Sequence, residues 1–488
     1  MEQKPIKIIK GSTRTIVKID VNNPAAIYLR GITQRVLTDH EWMPRQKRMV
    51  PTKKYSKYDS LSQNLYVPVE LTPQILDLFI EMGFMYEVVD EPRYPTRDIQ
   101  VKMKESFHPR SHQIPVIEHL KLEVPRRKGL AIQTGSGKTV SSIAGAIAYG
   151  KVFMIVVSRL HHQWVRSLEE FTDVKPEQLC VIQGFQSLAT LIESERKPDI
   201  FVFSLETLRA YCQRQGNYAD IPSFEQFVEY FGIGTKIMDE VHLNFHADTM
   251  IDLSCNIPNN IYLTATFTSG NPSTRKIFNL IYPPEMRFGE SVLEKYTNAY
   301  CYGYYGEVPE RKVVSNRGYS HIKYEKYLLK RPTKLQAFFE HVISPLVYSH
   351  YINKKQPGEK LAIFFSMLEM VDYAYDWCKK EFPDLKVTKY IGGVDDSVLK
   401  DNEIIITTPK SMSVGTDVKN LISVINTVST KSPPAVLQIC GRLRKIPGRT
   451  TEFVDLCDLN LVSHKHHQRD REQILRNTVM NYYKYKLP

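Results

Sequence analysis

The sequence has few of the features that mark disulfide-stapled, metal-stapled or membrane proteins. Its seven cysteines (Cys180, Cys212, Cys255, Cys301, Cys378, Cys440 and Cys457) are scattered, odd in number and never in a C-x-x-C pair, which argues against a disulfide framework and a cysteine zinc site. Apolar runs are short: Val152–Val157 and Leu361–Phe365 are typical, against the ~20 residues that a spanning helix needs, so no membrane helix is expected. The opening Met1-Glu2-Gln3-Lys4-Pro5 lacks the apolar core of a signal peptide, and the expected compartment is a reducing cytoplasm. No low-complexity tract and no short repeat is present. What the chain does have is an ordinary globular composition, 42% hydrophobic and 24% charged, which excludes disordered and fibrous classes. Its 488 residues imply two to four domains at roughly 100 to 200 residues each. Lys and Arg number 65 against 53 Asp and Glu, a formal charge of +12 that suits a phosphate-rich partner.

Short apolar strands alternate with longer helical stretches twice over, the pattern of parallel α/β sheets. Strands are expected at Leu130–Ile132, Phe153–Val157, Ile200–Phe203, Lys236–Met238 and Ile261–Leu263 in the first half. In the second half they fall at Leu361–Phe365, Glu403–Ile406, Ser423–Asn426 and Glu452–Asp455. Leu368, Val371, Tyr375, Cys378 and Phe382 recur close to helical spacing and predict the buried stripe of one helix. The expected organisation is an N-terminal accessory module over 1–100 with no clear α/β alternation, a first α/β domain over 105–290, and a second over 331–470. The Gly-, Pro-, Asn- and Tyr-rich stretch Thr268–Lys334 is read as the linker with its packing segments, centred on 291–330, and 471–488 as a basic aromatic tail.

Chemistry concentrates in two segments. Gln133-Thr134-Gly135-Ser136-Gly137-Lys138-Thr139 follows the first strand and precedes a helix-compatible run. Glycines there let backbone N–H groups close around a phosphate, Lys138 reaches the β- and γ-oxygens, and the Thr139 hydroxyl binds Mg²⁺. Ile132 stands where the strict phosphate-loop pattern has Gly. Asp239-Glu240-Val241-His242 ends a later apolar strand. Phosphoryl transfer depends on positioning and electrostatics, which casts Asp239 as the Mg²⁺ carboxylate and Glu240 as the base.

Taken together these segments resemble a superfamily 2 helicase, and further motifs occur in the family's order between about residues 105 and 470. Arg110-Ser111-His112-Gln113 is similar to the R-x-x-Q element, in which the Gln113 amide reads adenine by donating and accepting at once. Ser158-Arg159-Leu160-His161-His162-Gln163-Trp164 resembles motif Ia, so Ser158 and Arg159 become nucleic-acid contacts, although Trp164 reads equally well as a core residue. Ser204–Leu208 resembles motif Ib or Ic, Thr264-Ala265-Thr266 motif III, and Ser413-Val414-Gly415-Thr416-Asp417 motif V, with Gly415 and Asp417 at the nucleotide. Gln438–Arg444 resembles motif VI. There Arg442 fits the usual Q-x-x-G-R-x-x-R pattern, but Lys445 holds the final position and Arg444 comes one earlier. The expected helix ends near Leu443, ahead of Pro447 and Gly448, letting Arg444 join Arg442 as a second finger. The resemblance implies two tandem RecA-like parallel-sheet domains, with one ATP and its Mg²⁺ bound by the first and completed by the second.

Within the superfamily the likeness is to the phage UvsW-type recombination and branch-migration helicases. This implies an ATP-driven motor on branched DNA such as Holliday junctions and forks, in the host-cell cytoplasm if phage-encoded. Between Trp42 and Tyr58, Arg45, Lys47, Arg48, Lys53, Lys54 and Lys57 interleave with aromatics and no acid, a pattern that fits a DNA grip or a solvated charged loop. The tail, with Arg469, Arg471, Arg476 and Tyr482–Lys486, is a second such stretch. His464, His466 and His467 have no Cys or acid at ligand spacing and are not read as a metal site. Three other readings remain open: a DExH RNA-dependent ATPase, a double-strand DNA translocase without strand separation, and a non-catalytic nucleotide-gated clamp.

Overall fold

Strands buried on both faces read as continuous apolar runs, and here such runs build two all-parallel sheets beside one smaller mixed sheet. The computed structural model describes residues 5–43, 48–132, 137–158, 161–213, 221–264, 267, 272–288, 295–315, 318–392, 394–395, 397–412 and 418–488. One compact unit holds the described residues up to Phe288, and a second holds those from Lys295 onward.

The first unit begins with β1 (Ile6–Lys10), β2 (Arg14–Lys18), β3 (Thr38–Met43), β4 (Arg48–Lys54), β5 (Lys57–Asp59), β6 (Asn64–Pro68) and β7 (Tyr86–Asp90). Five of these form a sheet in the order β5-β6-β2-β1-β7, while β3 and β4 pair as a separate antiparallel ribbon. Helices Pro24–Val36 and Thr72–Met82 bury Leu29, Ile75 and Phe79 in the same core as Ile8, Val17 and Val67 of the sheet. That core continues into the following domain, so the N-terminal module is packed against its neighbour rather than standing apart. Arg14 carries much of the junction: it pairs with Glu91 and Glu225 and donates to the Leu253 carbonyl at 3.2 Å. Ser12 adds bonds to Asn256 Oδ1 and the Ile257 carbonyl.

Next come β8 (Arg127–Ala131), β9 (Phe153–Val157), β10 (Leu179–Ile182), β11 (Ile200–Ser204), β12 (Thr235–Met238), β13 (Asn259–Thr264) and β14 (Arg287–Phe288). They pair in parallel in the order β10-β11-β9-β12-β13-β8-β14. All five strands expected from the sequence are present, and β8, β9, β11 and β12 are buried at every residue. Two short edge strands, β10 and β14, were not legible in the pattern. Because the strands are parallel, the loops after β8, β9, β12 and β13 leave one end of the sheet, where α/β folds place their ligands.

The second unit contains β15 (Thr297–Tyr304), β16 (Val314–Ser315), β17 (Gly318–Tyr319), β18 (Lys360–Phe364), β19 (Val387–Tyr390), β20 (Ile404–Thr407), β21 (Leu421–Asn426), β22 (Thr451–Asp458) and β23 (Asn481–Lys486). Its parallel sheet runs β19-β20-β18-β21-β22-β15-β23, with β16 and β17 in a small hairpin. The segment read as linker therefore supplies a sheet strand, β15, which pairs over eight residues with β22. The tail supplies another, β23, on the other side of β15. Both alternate Tyr with small or polar residues instead of showing an apolar run, because β23 is the edge strand and β15 beside it keeps one face half-exposed. Helix Leu368–Glu381 carries the expected stripe except that Leu368 is 51% exposed, its place being taken by Met370 and Ala374. The architecture is two tandem RecA-like domains with an N-terminal mixed-sheet module. No helix among the described residues is long and apolar enough to cross a membrane.

Candidate active site

Lys138 opens the helix Lys138–Ala148 directly after Gly137, whose φ of +83° lies in the left-handed region that favours glycine. A Cβ on Gly137 would also meet Gln113 Nε2 at 2.1 Å. Gln113, itself buried, reaches Gly137 from the turn before helix Ile114–Lys121: its Oε1 accepts from the Arg110 N–H at 2.8 Å and its Nε2 donates to the Gly137 carbonyl at 3.5 Å. The end of the phosphate loop and the expected adenine reader are thus one assembly. Thr134, Gly135 and Ser136 lie outside the described residues, and Thr139 is half-buried in the first turn of the helix.

At the end of β12 the acids meet that lysine. Lys138 Nζ lies 2.8 Å from Glu240 Oε1 and 3.6 Å from Asp239 Oδ1, with all three side chains largely buried. Burial pulls the Lys138 ammonium down, but Glu240 and Asp239 outweigh it and leave its pKa raised. Burial pushes the Asp239 carboxyl up, Lys138 pulls it down, the neighbouring Glu240 adds to the rise, and the Trp164 indole opposes it. Glu240 sits at φ +52°, ψ +48°, a left-handed conformation that a non-glycine residue adopts only at a cost, often at functional sites. It caps helix Val241–Ser254, which is interrupted at Asn244. His242 Nδ1 is 3.3 Å from Glu240 Oε2 and 2.9 Å from Thr264 Oγ1 at the end of β13. Burial lowers the His242 pKa, Glu240 opposes the fall and Lys138 adds to it.

A lysine at a strand-to-helix turn, paired with acids two strands away across β13, makes this end of the sheet the candidate nucleotide site. The family model described as "Type III restriction enzyme, res subunit" matches residues 106–269, the segment that holds every one of these groups. Over residues 106–269 the chain is thus similar to that family's domain. The fold is similar to the ATP-dependent Type ISP restriction-modification enzyme LlaBIII bound to DNA, at 13% identity and a TM-score of 0.52 over 79% of this chain. The chain spans 31% of the length of that enzyme. The crystal structure of T4 UvsW aligns over 99% of this chain and 100% of its own, at 16% identity and a TM-score of 0.37. No curated protein matches the chain in sequence.

Asp239 Oδ1 is buried and has no hydrogen-bond partner among the described residues. That fits a carboxylate kept for a hydrated cation, since Mg²⁺ retains most of its waters and needs only one or two protein oxygens. Thr139, in the first turn of the neighbouring helix, is the second candidate oxygen.

Other expected site residues are distributed around the helicase domain and the second unit. Ser158 follows β9 and is half-buried; Arg159 lies outside the described residues. Arg48, Lys53 and Lys54 are exposed on β4, while Arg45 and Lys47 lie outside the described residues. The ribbon is anchored on the helix that Glu240 caps: Tyr55 packs against Phe245 with ring centroids 4.8 Å apart, and His246 bonds the Lys54 carbonyl at 2.9 Å. In the second unit, helix Pro433–Cys440 ends three residues before Leu443, with Gly441 as its cap. The 100° per residue of a helix therefore no longer relates Arg442, Arg444 and Lys445. Arg442 is buried and donates to the Gln438 carbonyl at 3.2 Å; Arg444 bonds the Gly441 carbonyl and Lys445 is exposed. Gly415 and Asp417 lie outside the described residues. Arg471, one of the tail's basic residues, is fully buried against Asp455 at 2.7 Å and cannot contact a phosphate as folded. Burial drives His464 well below the usual histidine pKa and takes His467 to about 4, and both bond to neighbouring hydroxyls.

Proposed function

We propose that the chain is an ATP-dependent DNA helicase or translocase acting on branched DNA. The observation that carries the reading is the buried Lys138–Asp239–Glu240 cluster at the ligand end of a parallel sheet, inside a segment matched by a helicase-family model. In this reading Lys138 turns from Glu240 to the β- and γ-phosphates when ATP binds. Glu240 Oε1, freed of its cation, then accepts a proton from the attacking water. Asp239 and Thr139 would hold Mg²⁺, which would supply charge neutralisation for the phosphate oxygens. Gln113 reads the adenine edge while staying joined to Gly137. Arg442 and Arg444 are assigned the role of fingers, because an always-charged planar guanidinium stabilises the transferring phosphoryl group. Ser158, Arg159, Arg45, Lys47, Arg48, Lys53 and Lys54 are assigned to the DNA backbone, as the charge of +12 suits.

A second reading, translocation along duplex DNA without strand separation, is favoured by the match to a restriction-enzyme subunit and by the likeness to a DNA-bound restriction-modification enzyme. The test is ATPase stimulation by single-stranded, duplex, forked and four-way DNA beside matched RNA, with Lys138→Ala as the inactive control. Forked and four-way DNA are expected to stimulate most. Equal stimulation by plain duplex, with no strand displacement, selects translocation, and stronger stimulation by RNA overturns both readings.

A further inference from the structure

Trp164 lies 75 residues before Asp239 in the sequence, on helix His161–Phe171, and is 2% exposed. It packs with Ile155, Val157, Leu168 and Ile237 in the apolar core between sheet and helix. A buried indole still needs a partner for its N–H. Here the partner is Asp239 Oδ2, 3.1 Å away.

The two oxygens of Asp239 are therefore treated differently. Oδ2 accepts from the indole, whereas Oδ1 faces Lys138 at 3.6 Å and has no hydrogen bond among the described residues. The terminal torsion of an aspartate is soft, so the donors that hold the carboxylate decide which oxygen it offers a cation; besides the indole these are the Glu240 backbone N–H and Lys138. A neutral donor suits this task better than a lysine or arginine, because it orients the carboxylate without neutralising the charge that attracts the metal. Partners behind a metal-binding carboxylate set its orientation, and removing them commonly costs roughly 10- to 100-fold in metal affinity or activity. We propose that Trp164 is the positioning residue of the Mg²⁺ site: its indole N–H pins Asp239 by Oδ2 and keeps Oδ1 turned toward the phosphate loop. The proposal rests on the nucleotide-site reading above and adds a role to a residue that the sequence places at the end of motif Ia and reads equally well as core.

The full-length chain is labelled with 5-fluorotryptophan, which gives three ¹⁹F signals for Trp42, Trp164 and Trp377; the Trp164 signal is assigned by elimination from Trp42→Phe and Trp377→Phe. Addition of Mg²⁺·ADP is expected to shift the Trp164 signal, and Mg²⁺·ADP added to the Asp239→Asn chain is expected to leave it unmoved. Trp164→Phe, which keeps an aromatic ring and loses the donor, is expected to raise the Mg²⁺ concentration for half-maximal ATP turnover about tenfold or more. Turnover at saturating Mg²⁺ and the KM for ATP should stay within about threefold, the split that separates a positioning loss from a general packing loss. A Trp164 signal blind to Mg²⁺·ADP, or an unchanged Mg²⁺ requirement in a folded Trp164→Phe chain, overturns the proposal while the wild type's Mg²⁺-dependent turnover upholds the parent reading. If Trp164→Phe fails to fold, the ¹⁹F titration decides alone. A wild type with no Mg²⁺-dependent turnover on any nucleic acid overturns both.

Discussion

Replacing Arg471 with methionine removes a fully buried cation from the second unit while keeping most of its volume. The guanidinium donates to Asp455 Oδ2 at 2.7 Å, to the Thr430 and Leu456 carbonyls at 3.1 Å each and to Ser429 Oγ at 3.4 Å. It thereby ties the C-terminal helix to β22 and to the segment after β21. Deleting one partner of such a pair leaves an uncompensated buried charge, which costs about 3–5 kcal/mol. At roughly 2–4 °C per kcal/mol for a unit of this size, the calorimetric transition of the second unit should fall by about 10 °C. Burial holds the Asp455 pKa above its ordinary value even with Arg471 opposing the rise, so without Arg471 it climbs further. A carboxyl whose folded pKa is raised contributes stability that is full below its unfolded pKa and is lost as pH rises through the folded pKa. The deficit of Arg471→Met should accordingly be smaller at pH 5 than at pH 8, and Asp455→Leu in the same chain should recover much of it, since a well-packed apolar pair often replaces a buried ion pair without loss. DNA affinity and its salt dependence should not change. A transition moved by less than about 3 °C with weakened DNA binding would refute the reasoning and return Arg471 to the set of phosphate-binding residues.

Lys138→Ala should abolish ATP hydrolysis and leave DNA binding within a few-fold, as measured by steady-state turnover at saturating DNA beside direct binding. Glu240→Gln should also stop turnover yet still bind Mg²⁺·ATP in equilibrium titrations; loss of nucleotide binding instead would reverse the roles given to Asp239 and Glu240. Changing Arg45, Lys47, Arg48, Lys53, Lys54 and Lys57 to Ala should weaken junction binding, with the slope of log K against log salt falling by ~0.9 for each DNA phosphate no longer neutralised; a wild-type slope makes the ribbon a solvated loop. Arg442→Ala and Arg444→Ala should each cut turnover by about 100-fold or more with little loss of ATP affinity, given the ~10³ to 10⁵ a finger supplies, whereas Lys445→Ala should be mild. A severe Lys445 defect beside a silent Arg444 assigns the second finger to the lysine.

Much of the candidate site was legible because its residues are contiguous. A phosphate loop needs Gly137-Lys138-Thr139 in an unbroken run at a strand-to-helix junction, and Asp239-Glu240 needs only the end of an apolar strand, so local spacing marks both. The central strands were legible for the same kind of reason: a strand buried on both faces is apolar at every position. The edge strand β23 and its neighbour β15 carry no such run, and a Tyr-rich segment reads as loop until β22 is seen beside β15.

Tertiary structure alone decided which groups meet. Trp164 and Asp239 are 75 residues apart and touch only because β9 and β12 are neighbours in the sheet. His242 reaches Thr264 because β13 lies next to β12. Arg471 and Lys54 are alike as basic residues in sequence, yet one is sealed against Asp455 and the other is exposed on a surface ribbon. Charge is written in the sequence, but the dielectric around each charge and the partner it faces are set by packing, and those two quantities separate a structural ion pair from a side chain open to DNA.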